Sequence, residues 1–178
     1  GTPGNLISAR LNFSFNRSLA QLTVVATNTT QSPNQGALTG FGFNISPDVT
    51  SVSLASTSGS SLTWSGAFDR DRTDNIVEIP PGTGNIKCDG FGRFNVFSGN
   101  KGVDTGFGGG NATEILPGSS VTFVLSVSGN LANITACSFT SVASLIPPGD
   151  KTSIAVGRFQ ACNGGGSAWA GPCVPGDL

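Results

Sequence analysis

The densest charge in the sequence is FDRDRTDN, residues 68–75, where Asp69, Asp71 and Asp74 stand among Arg70 and Arg72. Carboxylates gathered on a short loop are the chemistry of Ca²⁺, a hard cation that takes oxygen ligands. Asp69, Asp71 and Asp74 are therefore the candidate metal ligands, and Ca²⁺ is the one candidate ion. The spacing is not that of an EF-hand. Counted from Asp69, the sixth and twelfth places need Gly and Glu but hold Asp74 and Pro80. The two arginines oppose a cation, and the competing reading is a solvated loop with weak ion pairs.

A second stretch, GFGGGNATEILPGSSVTFVLSV at 106–127, opens like a phosphate cradle. A P-loop needs Lys and Ser/Thr directly after its last glycine, and then a helix. Here Gly110 is followed by Asn111-Ala112-Thr113-Glu114, and the next element is an alternating strand. Nucleotide binding is not expected. The sequence also holds no His, which removes the Ser-His-Asp and Cys-His arrangements. A carboxylate pair could still run glycoside hydrolysis, but Glu78 and Glu114 are the only glutamates. The expectation is a non-enzyme without a cofactor.

Four cysteines, Cys88, Cys137, Cys162 and Cys173, lack any C-x-x-C spacing, and without His a zinc site is not expected. Disulfides in an oxidising compartment are the better use, and three pairings exist. The favoured one joins Cys162 to Cys173 across CNGGGSAWAGPC and closes 162–178 as a C-terminal loop, stabilising by ~3 kcal/mol. Cys88–Cys137 follows by elimination. Six Asn-x-Ser/Thr sequons, at Asn12, Asn16, Asn28, Asn44, Asn111 and Asn133, are candidate glycosylation sites. Trp64 and Trp169 are the candidate aromatic platforms for a carbohydrate, against the commoner fate of tryptophan in a core.

The elements that would carry these residues read as strands. In ISARLNFSF, residues 7–15, Ile7, Ala9, Leu11, Phe13 and Phe15 alternate with Ser8, Arg10, Asn12 and Ser14, the period of a half-buried strand. Asn16-Arg17-Ser18 reads as a hairpin turn into AQLTVVATN. LTGFGFNI, VTSVSLAS, SLTWSGAF, a short NIVEI, 120–128 and TSIAVGRFQA follow, divided by Pro/Gly/Ser turns. LANITACSFTSVASLIPPG reads as strand or short helix. Strands at this spacing, with no long 3.6-residue period, predict an all-β chain with little helix: a single antiparallel β-sandwich over 1–178, with jelly-roll and immunoglobulin-like topologies both open.

Charged residues are only 11% and the net charge is −1, so no basic field exists for nucleic acid. No apolar run approaches the ~18 residues of a membrane span. Gly1 and the absence of a leader-like start give the expectation of a trimmed, mature chain.

Three segments together resemble the secreted proteins of the PEP-CTERM, or exosortase-sorted, family. They are Leu38-Thr39-Gly40-Phe41-Gly42-Phe43-Asn44, Leu116-Pro117-Gly118-Ser119-Ser120-Val121-Thr122-Phe123, and Val156-Gly157-Arg158-Phe159-Gln160 followed by Gly164-Gly165-Gly166-Ser167. The family's Val-Pro-Glu-Pro sorting tail is not among the 178 residues. The resemblance implies a β-rich extracellular protein of a cell surface or matrix and supplies no catalytic residue.

The reading is a secreted, disulfide-braced, non-enzymatic structural protein of the cell surface or extracellular matrix, self-associating into a homopolymer. Sheet edges are usually guarded by Lys or Pro. The chain has three lysines, and its opening strand contains no Pro after Pro3. Residues 1–15, with 5–15 as the pairing segment, are thus the candidate exchanged strand of a donor-strand fibre. The alternative is a carbohydrate-binding or adhesion module, with polysaccharide as partner.

Overall fold

A computed structural model describes residues 7–59, 76–78, 86–88, 90–99, 114–144, 152–162 and 166–171. Asp69, Asp71, Asp74, Trp64, Asn111, Cys173 and the glycines at 106–110 lie outside the described residues, so the expectations placed on them concern other parts of the chain.

The architecture is all-β and antiparallel, as the alternation predicted. One sheet has five strands: β1 (Ala9–Asn16), β2 (Gln21–Asn28), β4 (Val49–Gly59), β5 (Ile76–Glu78) and β9 (Ser120–Gly129), in the order β1-β2-β9-β4-β5. The other has β3 (Ala37–Phe43), β8 (Val96–Gly99), β10 (Ala155–Cys162) and β11 (Gly166–Ala170), in the order β11-β10-β3-β8. A small hairpin pairs β6 (Ile86–Cys88) with β7 (Gly92–Phe94). The two main sheets face each other across one apolar cluster. Leu22, Val24, Phe123 and Leu125 enter it from the first, and Leu38, Phe41, Phe43 and Phe159 from the second. Phe41 meets Phe123 edge-on at 5.1 Å, and Phe13 meets Phe43 at 5.1 Å, so aromatic contacts join the layers.

The strands of the first sheet differ in regularity for a readable reason. β1 pairs with β2, and β2 with β9, residue for residue without a bulge. Their alternating sequences therefore keep one set of side chains inward throughout. β4 carries bulges at Thr50 and Ala55 relative to β9. The first lets Val49 and Val52, three residues apart, both reach the core. In β3 the register against β10 skips Thr39, so Leu38 turns inward alongside Phe41 and Phe43. β3 is buried at every residue. On the other face of β10, Val156 packs with Cys88, Phe94 and Phe91 of the hairpin region.

The segment left open between strand and helix forms two short 3₁₀ turns, Leu131–Asn133 and Ala136–Phe139. Ser138 Oγ accepts the Thr135 N–H at 3.1 Å, a side-chain cap that fixes the second turn. Phe139 is fully buried and packs against Phe15 of β1. No helix among the described residues is long and apolar enough to cross a membrane.

Three expectations need correction. Residues 166–170 are not part of an unpaired loop but form β11, which pairs with β10. The Cys88–Cys137 bridge is not formed: Cys137 is a free thiol exposed on the second 3₁₀ turn, while Cys88, at the end of β6, is buried with Phe94 and Val156. Cys162 also carries a free thiol. Its burial in the core pushes its pKa up, so apolar packing rather than a covalent brace occupies it.

Candidate functional site

The β1 edge is the candidate site. Among the described residues β1 has a single neighbour, β2, and ends the sheet. Eight residues run without Pro, Gly, Lys or bulge, and Arg10 is their only charge. Such a strand presents a row of backbone donors and acceptors to whatever comes alongside. The opposite ends of the sheets are shorter: β5 has three residues and β8 four. Among the described residues the longest sheet edge is therefore β1.

Both ends of β1 are tied down by polar contacts. At its C-terminal end, Asn16 Oδ1 accepts from Ser18 Oγ at 2.7 Å and from the Leu19 N–H at 3.2 Å. This is the Asx-type closure expected of Asn at a turn. It brings the chain round through Ala20, which holds φ at 50°. Arg17 reaches across to donate to the Ile134 carbonyl at 3.0 Å. At the N-terminal end, the Ser8 N–H donates to Thr30 Oγ1 at 3.1 Å, and its carbonyl accepts the Thr29 N–H at 2.9 Å. The strand expected to be exchangeable thus completes its own sheet in full register with β2.

The inward face of β1 is only half-buried at Ala9, Leu11, Phe13 and Phe15, whereas Leu22, Val24 and Ala26 of β2 are fully buried. Ala9, Leu11 and Phe13 border a slot of about 380 Å³ between β1 and the second sheet. Leu11 and Phe13 form one wall, Leu38 and Phe41 the floor, and Ala155 and Gly157 the other wall.

The sequons separate into two groups. Asn12, Asn16 and Asn133 are exposed. Asn28 and Asn44 are buried, which removes them as glycan acceptors. Asn28 Nδ2 donates to the carbonyls of Gly36 and Ile115, each at 2.8 Å, and its Oδ1 accepts the Thr30 N–H at 3.1 Å. Asn44 Oδ1 accepts the Asn95 N–H at 2.8 Å. Asn28 was legible as a core residue, because it continues the inward series Leu22, Val24, Ala26. Asn44 carried no such signal. Trp169 stands on the edge strand β11, opposite Arg158 in the pairing of β10 and β11.

Comparison of the chain with family models, with curated proteins and with solved structures gave no match.

Proposed function

We propose that this chain is a secreted, non-enzymatic structural protein of a cell surface or extracellular matrix that self-associates through the edge of β1. One observation carries the reading: among the described residues β1 is an eight-residue, unbulged sheet edge with a single charge. Natural proteins usually blunt such an edge, and one left open is a template for another strand. Eight residue pairs already hold β1 to β2. Addition of a neighbour alongside β1 therefore breaks less than release of the strand into another molecule. The low charge, the sequons exposed at Asn12, Asn16 and Asn133, and the resemblance to PEP-CTERM proteins support an extracellular setting.

The test places lysines on the exposed positions of the edge, in the double variant Asn12→Lys with Ser14→Lys. Light scattering and electron microscopy of the native protein are expected to show oligomers or filaments. The variant is expected to keep its melting temperature within a few degrees and to remain monomeric. A parent that stays monomeric at high concentration, or a variant that assembles as the parent does, overturns the reading.

A further inference from the structure

The slot beside β1 has a chemistry of its own. Its volume, about 380 Å³, falls within the range of small-molecule sites, roughly 300–1,000 Å³. It follows β1 from Ile7 to Phe13, a run of about 20 Å at the rise of a strand. The slot is therefore elongated along the strand. None of the described residues that line it is charged, and the only hydroxyls are those of Ser8 and Thr140.

At three points around the slot the backbone is already paired within the protein. β10 lies between β3 and β11, and Gly157 is paired on both sides, with Phe41 and with Ala170. Leu38 exchanges both of its backbone hydrogen bonds with Ile115. Ser8 spends its N–H on Thr30 and its carbonyl on Thr29. A peptide strand laid in the slot would bury amide groups without partners, each at a cost of about 1–3 kcal/mol. An occupant with no hydrogen-bonding groups loses nothing there and gains apolar contact along Leu11, Phe13, Leu38 and Phe41.

We infer that the slot between β1 and β10 binds one extended hydrocarbon chain, as carried by a single-chain fatty alcohol or fatty acid, with its polar end in water. Its length along β1 and its uncharged, largely apolar lining suit one extended alkyl chain. The inference is independent of association through the outer edge of β1, because the slot is lined by the inward side chains Ala9, Leu11 and Phe13, whereas Asn12 and Ser14 point outward.

The experiment uses the full chain with 1-decanol and decanoate as ligands, read by displacement of the neutral fluorescent probe N-phenyl-1-naphthylamine. One saturable site per chain is expected. Ala9→Phe and Ala155→Leu each put bulk into the slot. Both are expected to weaken binding at least tenfold while circular dichroism and melting temperature are retained. The Asn12→Lys, Ser14→Lys double variant is expected to bind as the parent does, so that failure of edge association and failure of this inference give different results. The inference is overturned by absence of saturable binding or by unchanged affinity in both slot-filling variants. Uptake only when phosphatidylcholine vesicles are present, or a changed oligomeric mass of the ligand-free Ala9→Phe protein, also overturns it, since these assign the slot to a bilayer or to a second copy.

Discussion

β1 and β2 are neighbours with nearly the same sequence pattern, yet they do opposite work. Each is eight residues long, each alternates, and they pair without a bulge. β2 lies between two strands and faces the packed centre, so its inward residues are sealed. Among the described residues β1 has one neighbour, and its inward Ala9, Leu11 and Phe13 border the slot and stay half-exposed. The same contrast holds where the strands end. Asn16 closes an exposed turn, while Asn28, at the equivalent place on β2, is buried and satisfies three backbone groups. Alternation tells which residues share a face. Position within the sheet decides how deeply that face is buried.

The sharpest way to break the comparison uses the same substitution on both strands. Leu22→Ala removes a fully buried side chain and leaves a cavity, with an expected loss of about 4 kcal/mol. Leu11→Ala removes a side chain that already borders empty space, and about 1 kcal/mol is expected, since the cavity contribution is largely absent. Equal losses in denaturant melts would show that the slot is closed in solution and that the two strands are alike. The asparagines form the next pair. Asn28→Ala takes their partner from the Gly36 carbonyl and the Thr30 N–H and one of two donors from the Ile115 carbonyl, with an expected loss of about 3 kcal/mol. Asn16→Ala leaves its former partners in water and should cost about 0.5 kcal/mol. If the Asn16 change is the more damaging, the corner at Asn28 does not lock the sheets.

The fold was most legible where the ladder is regular. β1, β2 and β9 fall within a residue or two of their alternating segments, because no bulge interrupts the period. β3 was located, but its inward set was not readable. The extra residue at Thr39 sends Leu38 to the same side as Phe41, and no local pattern announces a bulge. β11 was hidden by composition: Gly166, Ser167 and Ala168 are poor strand formers, and pairing with β10 overrides their propensity. The open edge of β1 was legible from the missing Lys and Pro. The slot was not, because it depends on Ala155 and Gly157 standing across from Leu11 and Phe13, a juxtaposition made by strands far apart in the chain.

The smallest expected effect lies where the second sheet meets the start of β1. Cys162 is in the core, close to Gly36, and Ile7 approaches the same glycine. Burial raises the thiol's pKa in the folded chain. The unfolded chain releases this proton at lower pH than the folded one, so over that interval the folded state binds more protons. The contribution is intact below the unfolded value and is lost as pH rises through the folded one. Stability should therefore decline across the alkaline range, and Cys162→Ala should flatten that part of the profile, apart from a constant loss for the removed sulfur. Denaturant midpoints of both proteins across alkaline pH measure the difference. Parallel profiles would mean that the thiol is hydrated when folded, and that the seam beside β1 is open to water at its Cys162 end as well as along the slot.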